Sequence, residues 1–295
     1  MASTPRDNLR GALWMAGSAV AFAVMAALVK LLADSQSVAV MIFWRSLAGL
    51  VATLPFAFAI GRQAWAVRRP GKLLLRSAYG TAGFFLGFYA LAELPLADAQ
   101  ALSFSRTLFI TILAVIILKE QVAWRRWTAV AVGFVGILMM TRPGAALDPA
   151  ALAAIGSALA FALAIVTVKD LTADHSPTAL VLYANLITTL AGVPFILLDP
   201  TIPSLGDAGL LFAMGVAGVI AQGCYVKGMA AGDASLMGIV DYLRLPLAGL
   251  LGFWLFAEVP DGWALAGAAI VIVSTLYITF RESQVRVARP PEPPG

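Results

Sequence analysis

The chain has 295 residues, 61% of them hydrophobic and only 12% charged, with a formal net charge of +4 and a mean hydropathy of +0.89. A soluble domain carries about twice that share of charge, so the composition excludes a water-soluble fold and marks a polytopic α-helical membrane protein. The basic residues sit in short connections between apolar runs, the pattern of cytoplasmic loops, so nucleic acid is set aside as a partner and the lipid bilayer takes its place. Cys224 is the only cysteine and His175 the only histidine. Neither an intramolecular disulfide nor a Cys/His metal centre can be assembled from them, and no cofactor or metal is expected.

Residues 1–10 form a short polar tail. Ten apolar runs follow, each long enough to cross about 30 Å of hydrocarbon: 11–32, 39–60, 73–91, 97–118, 124–141, 150–168, 178–198, 208–229, 234–256 and 262–280. The first run is too long for the core of a signal peptide and reads as a span. Residues 281–295 are basic and then proline-rich (RPPEPPG), a composition that predicts a disordered tail. Turn formers such as Pro70-Gly71, Pro95 and Gly232-Asp233 punctuate the connections, none of which has room for a soluble catalytic domain.

Lysine and arginine placement sets the orientation. Arg6, Arg10, Arg62, Arg68, Arg69, Lys72, Lys119, Arg125, Arg126, Lys169, Lys227, Arg281, Arg286 and Arg289 fall on one side of such a topology, and only Lys30 and Arg142 on the other. Both termini are expected in the cytoplasm.

Two stretches stand out, FSRTLFITILAVIILKE from Phe104 and YLRLPLAGLLGFWLFAE from Tyr242. Each holds an arginine near its start and a glutamate fourteen residues later, Arg106 to Glu120 and Arg244 to Glu258. On a helix that spacing rises about 21 Å and returns to roughly the same face. Each arginine then lies inside an apolar span, where a charge faces either a partner or a water-filled cavity. A shift of 139 residues lays 17–56 on 156–195 without a gap, with Lys30 on Lys169, and a shift of 138 lays Arg106 on Arg244 and Glu120 on Glu258. The chain therefore reads as two five-span units, 11–141 and 150–280. An odd number of spans turns the second unit upside down relative to the first, an architecture of transporters.

The segments ALSFSRTLFITILAVIILKE and DYLRLPLAGLLGFWLFAEVPDGW, set in two five-span units, make the chain resemble the EamA-type members of the drug/metabolite transporter superfamily, and among them the bacterial aromatic amino acid exporters. The resemblance implies ten transmembrane helices around a central cavity and transport of small metabolites in the inner membrane of a bacterium.

Candidate substrate-binding residues follow from polar and aromatic positions within the spans. Gln100, Ser103 and Arg106 are three apart and predict one polar face. Asp241 and Arg244 have the spacing of a structural ion pair, and Pro246 removes a donor from the carbonyl of Tyr242. Tyr79, Tyr89, Gln222, Tyr225 and Tyr242 are candidate wall residues beside Ser103, Arg106 and Arg244. Glu120 and Glu258 lie near opposite surfaces, where a base or loop backbone is the expected partner. The resulting expectation is a transporter, not an enzyme, that exports amino acids by alternating access. A permease for a nucleoside, a vitamin or an S-adenosylmethionine-like metabolite is the alternative, with an intramembrane enzyme or a channel behind both.

Overall fold

A computed structural model of the chain describes residues 5–118, 124–141, 148–171, 175–198, 203–231 and 234–288. Thirteen α-helices and no strand form among these residues. In order they are α1 (Pro5–Leu32), α2 (Val38–Ile60), α3 (Arg62–Trp65), α4 (Pro70–Glu93), α5 (Leu96–Ser103), α6 (Arg106–Leu118), α7 (Trp124–Thr141), α8 (Pro149–Leu171), α9 (Pro177–Leu198), α10 (Leu205–Ala231), α11 (Ala234–Asp241), α12 (Arg244–Phe256) and α13 (Gly262–Ala288).

Local chemistry fixes where several helices begin. Ser37 accepts from the Val40 amide, Asp148 from Ala150, Ser176 from Ala179, Ser204 from Asp207 and Asp261 from Ala264, each at or just before a helix start. These side chains take up amides that the first helical turn leaves without a partner, which matters most where no water can do so. Prolines open α4, α8 and α9, where their missing N–H costs nothing.

The helices pair across the two halves of the chain. The most extensive interfaces are α1 with α10, α4 with α8, α7 with α13, and α2 with α9. Small residues permit the close approaches. At the α7–α13 crossing, a Cβ added to Gly136 would stand 2.8 Å from the Gly267 carbonyl oxygen, and one added to Gly267 would stand 2.6 Å from that of Gly136. Only glycine fits there, the way small residues let membrane helices meet backbone to backbone. Hydroxyls add interhelical bonds: Ser18 to the Ala221 carbonyl at 2.9 Å, Ser157 to the Gly83 carbonyl at 2.7 Å, and Thr81 with Thr188 at 2.8 Å. Large apolar side chains face outward, Leu198 at 83% exposure and Trp254 at 79%, as expected of a surface against lipid.

Seven segments among the described residues are long and apolar enough to cross a membrane, against the ten runs read from the sequence. The kinked pairs α5–α6 and α11–α12 each supply one of the seven. Polar residues such as Lys72, Arg76 and Glu93 dilute α4, and the apolar parts of α7 and α13 are shorter, 127–140 and 262–277. Two further differences have plain causes. Helix α13 runs on to Ala288, eight residues into the stretch read as a tail, because ESQVRV continues a good helical sequence before Pro290. The fourth and ninth spans are each interrupted rather than continuous, with consequences for the site.

Candidate substrate-binding site

The two interruptions fall at equivalent places. Between α5 and α6 the amides of Phe104 and Ser105 donate to the carbonyls three residues back, Ala101 and Leu102. Between α11 and α12 the amides of Tyr242 and Leu243 do the same with Ile239 and Val240. This tighter winding breaks the α-helical ladder and redirects each span just before its arginine. The sequence had Pro246 leaving the Tyr242 carbonyl free. Instead Leu245 donates to that oxygen at 3.0 Å, because the tightened turn brings its amide there first.

The break also dissolves the predicted polar face of the fourth span. Gln100 is buried, Ser103 is exposed with its hydroxyl donating to the Gln100 carbonyl at 2.7 Å, and Arg106 is half-buried one break further on.

Around the breaks the two halves meet. The rings of Phe104 and Tyr242, which occupy matching positions in the two repeated stretches, stack at 4.4 Å with a 14° interplanar angle. The Tyr242 hydroxyl is hydrogen-bonded to that of Thr275 on α13. Arg244 is buried, with a terminal guanidinium nitrogen 2.5 Å from an Asp241 carboxylate oxygen. The approach is charge to charge rather than an aligned hydrogen bond: that oxygen and the Arg244 Nε both lack a hydrogen-bond partner. The Arg244 guanidinium lies 4.0 Å over the Phe22 ring and 5.9 Å from the Tyr225 ring. The Arg106 charge is within electrostatic range of both Arg244 and Tyr242, although the two arginines come from opposite halves of the chain. Arg106 makes no hydrogen bond or ion pair among the described residues.

Of the residues singled out in the sequence, Arg106, Tyr225, Asp241, Tyr242 and Arg244 thus come together. Tyr79, Tyr89, Ser103 and Gln222 do not: no hydrogen bond, ion pair or ring contact joins them to this cluster, and the last three are exposed. Two surface hollows, of about 220 and 270 Å³, lie elsewhere, the first between α1 and α12 and the second between α5, α12 and α13. Among the described residues no group of three or more His, Cys, Asp or Glu side chains is placed to hold a metal.

At one end of the bundle a second charged constellation closes. Lys30 at the end of α1 pairs with Glu258 just beyond α12, and also donates to the Leu94 carbonyl at 2.6 Å. Glu258 accepts the Leu96 amide at 2.8 Å, so the start of α5 meets the end of α12 and the two kinked spans cross the bundle in opposite directions. Glu258 therefore has both kinds of partner expected of it, a base and loop backbone. Glu120 lies outside the described residues.

Sequence reasoning missed Phe22, Thr275 and Arg45. Arg45, in the run VAVMIFWRSLAGLV, gave the same signal as Arg106, a charge inside an apolar run, but lacks a repeat partner to draw the eye.

Comparison with known proteins places this geometry. The EamA-like transporter family model matches twice, over residues 9–142 and 148–280. The S-adenosylmethionine uptake transporter of Rickettsia prowazekii is 28% identical over 280 residues, 95% of each chain. The riboflavin transporter of Vibrio cholerae is 32% identical over 289 residues, 96% of this chain and 97% of that one. A solved structure described only as "Crystal structure of protein" covers 91% of this chain and 98% of its own at a TM-score of 0.60 and 20% identity, a likeness of fold alone. These relatives are not named for amino acid export, so the resemblance to aromatic amino acid exporters gives way to the broader grouping. A family model that accounts for both halves of a chain built of apolar helices leaves one conclusion: this multi-pass membrane protein belongs to the EamA-like transporter family of the drug/metabolite transporters.

Proposed function

We propose that the chain is a secondary transporter that moves small carboxylate-bearing metabolites across a bacterial inner membrane by alternating access. Its ten spans would form two inverted five-helix units around a central path, with both termini cytoplasmic. The stacking of Phe104 on Tyr242 and the opposite directions of the two kinked spans support the inverted arrangement. The observation that carries the substrate class is the cluster at the two breaks. Arg106 has no partner there, and Arg244 keeps an unused Nε beside Asp241. Guanidinium presents two parallel donors to a carboxylate, Asp241 offers a counter-charge to an ammonium, and Phe22 and Tyr225 supply aromatic surface. An α-amino acid end fits this set, and S-adenosylmethionine, the substrate named for the Rickettsia relative, has one. Riboflavin, named for the Vibrio relative, has no carboxylate and fits less well.

The direction of net movement follows the substrate gradient. Both directions are named among the relatives, uptake for the Rickettsia protein and export for the pseudopaline exporter of Pseudomonas aeruginosa, which fits movement either way down a gradient.

Purified protein in liposomes, assayed by counterflow with S-adenosylmethionine, methionine, phenylalanine and riboflavin, tests the proposal. The amino acid carriers should cross, their decarboxylated amines should not, and Arg106→Lys should weaken flux in protein that remains inserted. Equal flux of acids and amines would overturn the carboxylate role.

A further inference from the structure

We propose that Arg45 is a second anion-holding residue on the transport path, and that the preferred substrate carries a second acidic group besides the carboxylate received near Arg106 and Arg244. This rests on the transport reading above and adds a substrate class to it.

Arg45 lies seven residues into α2, about 10 Å along the helix from Val38. Helices from both halves enclose it. Its guanidinium carbon stands 3.8 Å over the Phe84 ring of α4. A Cβ on Gly218 of α10 would meet its Cγ at 3.7 Å and its Nε at 3.8 Å, with the Met25 sulfur of α1 alongside at 3.2 Å. The side chain is therefore directed into the bundle, not toward lipid.

Arg45 makes no hydrogen bond or ion pair among the described residues, and its Nε is buried without a partner. The contrast with Lys30 and Arg244, which face Glu258 and Asp241, is direct. A charge inside a membrane protein is costly to hold, and an aromatic face offsets only part of that cost. The missing component is an anion that reaches Arg45 from within the bundle. A transported acid meets that condition.

Placement of the aromatics sets the geometry of such an acid. Phe22 and Phe84 pack on one apolar cluster with Met25 and Phe88. Arg45 caps Phe84, while Arg244 caps Phe22. The two guanidiniums rest on different rings of this apolar cluster, so one substrate that engages both has acidic groups at its two ends and an apolar stretch between them. A substrate with a single acid, received near Arg106 and Arg244, leaves Arg45 uncompensated, because Arg244 already faces Asp241.

L-α-Aminoadipate and L-norleucine share a six-carbon skeleton and differ in a terminal carboxylate against a terminal methyl, which makes them suitable probes. In proteoliposome counterflow the parent protein should favour aminoadipate by about tenfold or more, the scale of one charge-assisted contact. Arg45→Gln should bring that ratio toward one, and Arg45→Lys should keep part of it. A ratio unchanged in Arg45→Gln, or a parent protein that favours norleucine, would overturn the role of Arg45 while leaving the proposed transport of carboxylates intact.

If the parent carries neither probe, the proposed second acid is overturned, while flux of S-adenosylmethionine and methionine tests the carboxylate reading separately. Thermal unfolding of Arg45→Leu in detergent is a further check on Arg45. A residue kept for an incoming anion should be replaceable by leucine with no loss of melting temperature. A clear fall in melting temperature would make Arg45 a packing element and end the proposal.

Discussion

Phe104 and Tyr242, 138 residues apart and at matching positions in two repeated stretches, stack ring on ring at 4.4 Å where their spans break. Each break is a turn of tighter winding immediately before an arginine, so the stack joins the two breaks and brings Arg106 and Arg244 into one neighbourhood. Aromatic pairs of this kind are worth about 0.5–1.5 kcal/mol beyond the area they bury. Tyr242→Phe keeps the stack and gives up only the hydroxyl contact with Thr275, so it should cost about 1 kcal/mol. Tyr242→Ala removes the ring and should cost about 3–5 kcal/mol. Denaturation in mild detergent compares the two; equal losses would mean that the hydroxyl, not the stack, holds the breaks together.

Lys30 and Glu258 tie α1, the α4–α5 connection and α12 at one end of the bundle. Each side chain is about one-seventh exposed, and Glu258 also satisfies the Leu96 amide, so removing one partner strands the other. Glu258→Ala should cost about 3–5 kcal/mol, as for a broken buried pair. The double variant Lys30→Met with Glu258→Gln should be much milder. A thermal cycle in which the double variant is as damaged as the single would show that the two charges act independently.

Asp241 and Arg244 form the corresponding test at the breaks. Arg244→Ala leaves Asp241 charged and buried, and should cost about 3–5 kcal/mol, with much of that recovered in Asp241→Asn, Arg244→Ala. Additive losses in the melting temperature would contradict coupling between the two.

Orientation can be checked without reference to transport. An even number of spans with both ends in the cytoplasm places Arg68 and the C-terminal end of α13 on the same side. Cysteine labels at Arg68 and Glu282, in a background with Cys224 replaced, should both be protected from a membrane-impermeant reagent in intact cells and react after permeabilisation. Opposite accessibility would refute the even span count.

Much of the molecule is legible in the chain alone, for local reasons. Membrane residence follows from composition, since 61% hydrophobic residues in long runs have no soluble solution. The repeat and the family follow from strings of residues that survive a fixed shift. The importance of Arg106 and Arg244 follows from a charge in an apolar run. What the chain by itself did not determine depends on contacts between residues far apart in it. The pairing of Lys30 with Glu258 crosses 228 positions. The exposure of Tyr89 and Gln222 depends on which face of α4 and of α10 other helices cover. The interruption of the fourth span has no proline to announce it, because the tightened turn at Phe104 is held in place by a ring from the other half. Arg45 shows the same division. Its sequence says only that a cation sits in an apolar helix, and only the fold decides that Phe84, Met25 and Gly218 surround it and that no carboxylate among the described residues does.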